Sequence, residues 1–211
     1  MADALIWGAS GGIGQALVRL FKQEGWRVFA AARNVSRIPD GADFTYRFDV
    51  TQPTTIDETQ LLVVQDSQGL DLVVYAAGDL RPDLLKNTDL DDWSAVMHAN
   101  LTGAFLIASK SLYLLNEGGH MMFMGAYVDH VLLLPKMAAY AVTKAGLETM
   151  VTVLRKENRK HKFSVVRPGA VDTPFWDKAP FKKPADAKSP EVVAKAILAH
   201  YLAGENSDLN L

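Results

Sequence analysis

Short runs of apolar residues alternate along the chain with longer segments in which apolar side chains recur every three to four positions. The short runs predict β-strands, and the longer segments predict helices. Strands are expected at residues 4–7, 26–31, 44–48, 70–76, 120–124 and 163–167, with a short edge strand at 208–211. Helices are expected at residues 13–25, 56–64, 90–115 and 137–160, and a last helix is expected to begin at Pro190.

The predicted strands are apolar almost without interruption. This pattern is typical of parallel strands that are covered by helices on both faces. Together with the alternation of strands and helices, it predicts an α/β protein with a single Rossmann-type, doubly wound domain over residues 1–211. One long irregular stretch, residues 174–189, is rich in lysine, proline and aromatic residues, and we expect it to form a lid over a substrate.

Composition narrows the possible functions. Hydrophobic residues make up 49% of the chain and charged residues 22%, and a net charge of −2 offers no basic surface to nucleic acid or anionic membranes. Cysteine is absent and the five histidines lack the spacing of metal ligands, so no metal site is expected. Neither a signal peptide nor a membrane-spanning segment is recognisable, and we expect a cytoplasmic protein.

The segment GASGGIG joins the first predicted strand to the first predicted helix. Glycines allow a tight turn and the close approach of a diphosphate, whose charge is attracted by the N-terminus of the following helix. Gly8, Gly12 and Gly14 therefore predict a dinucleotide site, with a plain flexible turn as the alternative. Ser10 matches the letters of a nucleophile elbow, but the third glycine and the position after a strand favour phosphate binding.

The end of the second predicted strand bears on the choice of cofactor. An acidic residue there would bind the ribose of NAD, whereas an arginine accommodates the 2′-phosphate of NADP. The chain has Arg33 and no acid in this turn, and Ser10 and Arg37 are candidates to assist it. We therefore predict NADP(H) rather than NAD(H), with a solvated surface arginine as the alternative interpretation of Arg33.

The segment YAVTK contains Tyr140 and Lys144, which would share one face of a helix. Such pairs are common by chance. A nearby ammonium would lower the pKa of a tyrosine from its ordinary value of ~10, and the phenol could then exchange a proton with a carbonyl or hydroxyl oxygen.

Over nearly its whole length the chain resembles the short-chain dehydrogenase/reductase family. The segments that carry the resemblance occur in the family's order: GASGGIG (8–14), DV (49–50), AAG (76–78), HANLTG (98–103), YAVTK (140–144) and RPGAVDT (167–173). Each is weak alone, but the ordered set is highly specific. The resemblance implies hydride transfer between a nicotinamide cofactor and a small carbonyl or alcohol substrate.

The resemblance also implies individual roles. Tyr140 would be the acid/base, Lys144 would lower its pKa and bind the nicotinamide ribose, and Asn100 would position a water in a proton relay. The alternative for Asn100 is a polar residue on an exposed helix face. With the glycine loop and Arg33, the predicted cofactor contacts are Gly8, Ser10, Gly12, Ile13, Gly14, Arg33, Asp49, Val50, Ala76, Ala77, Gly78, Asn100, Tyr140, Lys144, Pro168, Gly169, Val171 and Thr173.

The chain departs from the family at a serine that usually follows the fifth strand. Residues 124–135 contain no serine or threonine, and Ala126 or Tyr127 stands in its place, where the Tyr127 phenol could donate a hydrogen bond instead. Tyr75 replaces the asparagine that usually begins the AAG-type motif. Two functions therefore stay open: a carbonyl reductase or alcohol dehydrogenase, and a catalytically weak or inactive NADP(H)-binding sensor or interaction protein.

A homodimer or homotetramer is also expected. The predicted helices at 90–115 and 137–160 carry apolar residues, and the equivalent helices commonly form subunit interfaces in this family. The residues concerned include Leu101, Phe105, Leu147 and Val151.

Overall fold

Seven parallel strands form one sheet in the computed structural model, which describes all 211 residues. The strands are β1 (Asp3–Trp7), β2 (Arg27–Ala32), β3 (Phe44–Arg47), β4 (Leu70–Tyr75), β5 (Leu115–Met124), β6 (Lys162–Arg167) and β7 (Leu209–Asn210). The helices are α1 (Gly12–Gln23), α2 (Pro53–Asp66), α3 (Leu90–Met97), α4 (Gly103–Ser111), α5 (Val128–Leu132), α6 (Ala138–Glu157) and α7 (Pro190–Leu202). A π-helical turn at His98–Thr102 joins α3 to α4. Short 3₁₀ turns lie at Val35–Arg37, Leu112–Leu114 and Pro174–Lys178.

The strand order is β3-β2-β1-β4-β5-β6-β7, and every neighbouring pair is parallel. The chain builds outward from β1 in one direction and then continues on the other side of β1 with β4. In doubly wound sheets, ligands bind outside the carboxyl ends of the strands at such a reversal. The predicted fold class is confirmed, and the crevice between β1 and β4 is the expected ligand site.

Side chains of β1 alternate between two buried cores, which explains the uninterrupted apolar runs. Ala4 and Ile6 pack with residues of α1 and α7 on one face, whereas Leu5 and Trp7 pack with α2, α4 and α6 on the other. All four side chains are fully buried. Because neither face of the sheet meets water, the strand has no need for alternating polar residues.

A single continuous helix was predicted at 90–115, and both its continuity and its predicted end are wrong. It is interrupted by the π turn, and β5 begins at Leu115, five residues before the predicted strand. The pairing of β5 with β4 shifts register between Leu70 and Leu72, so this first part of β5 is an irregular extension without the apolar run that marks the rest. The short helix α5 was not predicted, and its Leu132 is 66% exposed.

The base of the predicted lid is fixed by backbone hydrogen bonds. Lys188 N–H donates to the carbonyl of Ala170 at 2.9 Å, and Asp172 N–H donates to the carbonyl of Lys188 at 2.8 Å. The Trp176 indole N–H donates to the Val171 carbonyl at 2.8 Å. The stretch at 174–189 therefore leaves and rejoins the body at one place.

Two of the four apolar residues that suggested a subunit interface lie in the chain's own core. Leu147 and Val151 are fully buried, because their face of α6 packs against the sheet. Leu101 is half-buried, and Phe105 is 53% exposed. The prediction was wrong for Leu147 and Val151. Separately, none of the helices combines the length and hydrophobicity needed to cross a bilayer.

Candidate active site

The predicted site residues gather at the carboxyl edge of the sheet. Gly8 directly follows β1, Arg33 follows β2, Ala76 follows β4 and Pro168 follows β6, and Asp49 lies two residues beyond β3. Because all these strands are parallel, their ends open onto the same edge. The fold therefore brings together segments that lie as far apart in the chain as the first and the sixth strand.

The three predicted glycines are required for different reasons. Gly8 has φ +88°, and a Cβ there would lie 2.5 Å from the Ala77 nitrogen. A Cβ on Gly14 would lie 2.2 Å from the Gly8 oxygen, and one on Gly12 would lie 2.5 Å from Thr173 Cγ2. Only Gly8 uses the left-handed backbone that glycine permits, whereas Gly12 and Gly14 allow close packing.

Helix α1 begins without a side-chain cap. Its N-cap residue is Gly11, and no acidic residue lies in its first turn. The first N–H groups of a helix lack intrahelical partners, and its N-terminus carries positive partial charge. An uncapped helix end behind a glycine turn fits the diphosphate of a dinucleotide. Gly11 was not among the predicted contacts, although it lies within the same motif.

Gln15 links the loop after β1 to the loop after β2. Its Nε2 donates to the carbonyls of Ser10 at 3.3 Å and Arg37 at 2.9 Å. Ile13 packs partly against the core. Ser10 and Arg37, both predicted to assist with a 2′-phosphate, thus lie on loops that one side chain holds together.

Arg33 is exposed directly after β2. Partial burial acts to raise the pKa of Asp49, but hydrogen bonds from Thr51 and the charges of Arg33 and Arg47 lower it overall. Thr51 donates to Asp49 Oδ1 through its N–H at 3.0 Å and its hydroxyl at 2.8 Å. Arg47, which pairs with Ala32 in the sheet, is a second cation here that was not predicted.

Asn100 lies in the π turn and is buried, so its interpretation as an exposed polar residue is wrong. Its Nδ2 donates to the carbonyls of Asp79 at 2.8 Å and Val96 at 3.0 Å, and its Oδ1 accepts from Asp79 N–H at 3.3 Å. A Cβ on Gly78 would lie 2.8 Å from Asn100 Oδ1. Asn100 therefore joins the π turn to the segment that follows β4. The predicted contact Val50 lies at the other end of this turn, next to Gly103, where an added Cβ would be 2.8 Å from Val50 Cγ1.

Tyr140 and Lys144 share a face of α6, with Lys144 Nζ 5.3 Å from the Tyr140 ring centroid. Lys144 is 4% exposed and donates to the carbonyl of Met124, the last residue of β5, at 2.7 Å. Burial lowers the pKa of Lys144 to about 8 and raises the pKa of Tyr140 above its ordinary value. Burial therefore opposes the lowering of the Tyr140 pKa that the neighbouring ammonium is expected to cause, and that lowering stays a prediction.

Tyr127 does not offer its hydroxyl to the cleft. The hydroxyl donates to the carbonyl of Leu211 at 3.0 Å, and the ring packs against His130 with centroids 5.3 Å apart. Leu211 is held in turn by its N–H, which donates to the Arg167 carbonyl at 3.0 Å. The Tyr127 hydroxyl, which could have replaced the usual serine, therefore already donates its hydrogen to another group.

The lid contacts both Tyr140 and the segment after β4. The rings of Phe175 and Tyr140 have centroids 5.7 Å apart. The ammonium of Lys178 forms an ion pair with the carboxylate of Asp79. Partial burial acts to raise the pKa of Asp79, but Lys178 and other hydrogen bonds lower it overall. Neither contact was predicted, since each joins residues distant in the chain.

The predicted nicotinamide end follows β6. Pro168 and Val171 are buried, and Gly169 has φ +69° in the left-handed region. Thr173 lies against Gly12 of the glycine loop. This segment therefore reaches from β6 across to the loop after β1.

A separate polar cluster lies between the sheet and α7, with His120 on β5, Ser164 on β6 and His200 on α7. Ser164 Oγ is 2.8 Å from His120 Nε2 and 3.0 Å from His200 Nε2, and all three residues are buried. Burial, assisted by the neighbouring His200, lowers the pKa of His120 to about 3. These two histidines are core residues.

Comparison with known proteins identifies the class of this site. The short chain dehydrogenase family profile matches residues 2–183. The chain is 32% identical over 225 aligned positions to 3-oxoacyl-(acyl-carrier-protein) reductase of Thermotoga maritima, with 96% of this chain and 90% of that protein covered. It is 28% identical over 208 positions to an uncharacterized oxidoreductase of Staphylococcus aureus, with 92% and 88% covered.

The fold is also similar to that of a solved structure over the whole chain. The alcohol dehydrogenase of the archaeon Thermococcus sibiricus, complexed with 5-hydroxy-NADP, matches with a TM-score of 0.89 and 27% identity over 100% of this chain and 96% of that one. A parallel sheet with a glycine loop at its reversal point and a Tyr-Lys helix beside it belongs to a dinucleotide-dependent oxidoreductase. The chain is a member of the short-chain dehydrogenase/reductase family.

Proposed function

We propose that this chain is an NADP(H)-dependent carbonyl reductase or alcohol dehydrogenase in which Tyr140, Lys144 and Asn100 form a proton relay. The observation that carries the proposal is the position of Tyr140. It lies one helical turn from a buried ammonium and in ring contact with Phe175 of the lid. A proton donor, a charge that stabilises its anion and a cover over the site are the parts that carbonyl reduction requires.

When bound, the nicotinamide supplies the hydride that adds to the carbonyl carbon. Tyr140 donates its phenolic proton to the carbonyl oxygen. Because burial raises the pKa of Tyr140, the phenol carries this proton throughout the neutral range, and the transfer depends on a neighbouring charge that stabilises the phenolate left behind. Lys144, with a pKa of about 8, is mainly protonated at pH 7 and has donors beyond the one given to Met124. These donors would hold the nicotinamide ribose and stabilise the phenolate after proton transfer.

We assign to Asn100 the task of fixing the turn on which the relay is built. Both hydrogens of its amide are donated to the carbonyls of Asp79 and Val96, so none is left for a relay water. Asn100 therefore takes part in the relay by fixing the π turn at His98–Thr102, whose backbone groups would bind the water that returns the proton to Tyr140.

The cofactor would lie along the carboxyl edge of the sheet. The glycine loop and the uncapped end of α1 support diphosphate binding by Gly8, Ser10, Gly12, Ile13 and Gly14. The remaining proposed contacts are Arg33 with the 2′-phosphate, Asp49 and Val50 with the adenine, Ala76, Ala77 and Gly78 along the cofactor, and Pro168, Gly169, Val171 and Thr173 at the nicotinamide. The NADP analogue in the Thermococcus relative supports NADP(H) over NAD(H).

We infer a small carbonyl or alcohol substrate beneath the lid at 174–189, a cytoplasmic location, and a homodimer or homotetramer. The exposed apolar side chains of α4 and α6 support an interface between copies: Phe105 is 53%, Val142 48% and Val153 45% exposed. Light scattering tests the assembly, and a monomer mass throughout the micromolar range would contradict it.

The catalytic proposal is tested with purified protein and a panel of aldehydes and ketones. NADPH and NADH binding are first titrated by fluorescence, and NADPH oxidation is then followed by absorbance in the same sample. Tight NADPH binding with turnover of at least one carbonyl is expected. Binding without turnover across the panel would contradict the reductase.

A second candidate is an NADP(H)-binding sensor or interaction protein that is weakly active or inactive. It is favoured by the absence of the usual serine and by the Tyr127 hydroxyl, which is donated to Leu211. Replacing Tyr140 by Phe separates the two functions. Loss of turnover supports the enzyme, whereas no turnover in either form, with unchanged partner binding, supports the sensor.

A further inference from the structure

The segment after β4 is fastened to the π turn at both of its ends. Tyr75, the last residue of β4, donates its hydroxyl hydrogen to the carbonyl of Ala99 at 2.7 Å. Four residues later, the backbone N–H and carbonyl of Asp79 are bound by the Asn100 side chain at 3.3 and 2.8 Å. Two consecutive residues of the turn therefore hold the two ends of the segment that is proposed to line the cofactor.

The hydroxyl of Tyr75 bonds a backbone carbonyl that the π geometry leaves free. Gly103 N–H donates to the carbonyl of His98, five residues earlier, whereas an α-helix would pair it with Ala99. The Ala99 carbonyl has the phenol as its partner instead. A Cβ on Gly103 would lie 2.3 Å from the Tyr75 hydroxyl, so glycine leaves the space that the phenol occupies. Tyr75 is 2% exposed and burial raises its pKa, which keeps the hydroxyl a donor.

We propose that Tyr75 is a positioning residue for the reaction: its hydroxyl holds the π turn at Ala99 and thereby sets the place of Asn100 and of the segment at 76–78. The kinetic part of this inference rests on the proposed function. Tyr75 acts through Asn100, and it has no part in proton or hydride transfer. An asparagine usually stands here in the family, so the phenol is a feature that distinguishes this chain.

Tyr75→Phe tests the role because it removes only the hydroxyl. Tyr46→Phe is the matched control, since Tyr46 is another buried tyrosine of the sheet and donates its hydroxyl to Asp66 at 2.8 Å. Amide hydrogen exchange of peptides spanning 97–105 should become roughly tenfold faster in Tyr75→Phe and remain unchanged in Tyr46→Phe. With NADPH and a carbonyl substrate, kcat of Tyr75→Phe should fall roughly 10- to 100-fold, while KM for the carbonyl changes little.

A double-mutant cycle with Asn100→Ala separates positioning from general destabilisation. If Tyr75 acts through Asn100, then Tyr75→Phe should add little to the loss of kcat that Asn100→Ala already causes. Losses that multiply, or exchange and kcat in Tyr75→Phe equal to the wild type, would overturn the inference. If the wild type reduces no carbonyl, the proposed function fails, and exchange of the 97–105 peptides alone decides whether Tyr75 holds the turn.

Discussion

Lys144→Met is expected to make the protein more stable and less active. Lys144 is 4% exposed, and burial lowers its pKa from the ordinary 10.5 to about 8. The difference corresponds to a penalty of about 3 kcal/mol on the ammonium in the folded state near neutral pH. Methionine has a similar length and no charge, so it removes this penalty. The lost hydrogen bond to Met124 offsets about 1–3 kcal/mol of the gain.

The pH dependence of this effect has a definite sign. The unfolded chain keeps the Lys144 proton up to the ordinary pKa of 10.5, whereas the folded protein releases it near its pKa of about 8. Between these values the unfolded state binds more protons, so the stability of the wild type rises with pH. The stability advantage of Lys144→Met should therefore shrink by roughly 2–3 kcal/mol between pH 7 and pH 10. Urea unfolding of both proteins at the two pH values measures this, because titrations common to both cancel.

The same variant should lose carbonyl reduction by roughly 100-fold or more, because the phenolate of Tyr140 would lack its ammonium. Lys156→Met, at an exposed position of the same helix, is the control and should change stability by less than about 0.5 kcal/mol at either pH. A stability difference between Lys144→Met and the wild type that stays constant from pH 7 to pH 10 would show that burial of the Lys144 ammonium does not destabilise the folded protein.

Three further predictions address other parts of the protein. Arg33→Ala should weaken NADPH binding by about 2 kcal/mol, or roughly 30-fold, and leave NADH binding unchanged in fluorescence titrations; equal losses for both cofactors would exclude a 2′-phosphate contact. Tyr127→Phe should leave kcat nearly unchanged because its hydroxyl is donated to Leu211, and a large fall in kcat at constant NADPH affinity would show that Tyr127 replaces the serine. His120→Gln should remove an acid-sensitive part of the stability. The pKa of folded His120 is lowered to about 3 by burial and by His200, so the folded imidazole stays neutral while the unfolded one takes up a proton below its ordinary pKa of 6.5. The wild type should therefore lose about 2 kcal/mol more than the variant between pH 7 and pH 5, and equal losses in urea unfolding would contradict this cause.

The sheet could be predicted because burial on both faces leaves a plain pattern of apolar runs. The break between α3 and α4 could not be predicted from the sequence. Residues 90–111 have helical periodicity throughout, and the hydroxyl that accompanies the π turn belongs to Tyr75, which lies 24 positions before Ala99. A periodicity contains no information on a hydrogen bond from a neighbouring strand. The first part of β5 was missed for a related reason, since a strand extension that shifts register needs no apolar run.

The candidate site likewise has a part that could be predicted from the sequence and a part that could not. Its backbone elements follow from motifs whose spacing is local, as in the glycine loop and the Tyr-Lys pair. Its contacts depend on tertiary packing: Lys178 and Asp79 are 99 positions apart, and Tyr127 and Leu211 are 84 apart. The desolvation of Tyr140 and Lys144 also needed the structure, because helical spacing gives the nearness of the two side chains but not their burial.

The most direct test of the proposed chemistry compares the wild type and Tyr140→Phe with NADPH and the best carbonyl substrate of the panel. NADPH affinity and single-turnover reduction are measured on the same two samples. Tyr140→Phe should bind NADPH with similar affinity and reduce the carbonyl roughly 10²- to 10⁴-fold more slowly, because only the proton donor is lost. A reduction rate in Tyr140→Phe close to that of the wild type would contradict Tyr140 as the acid.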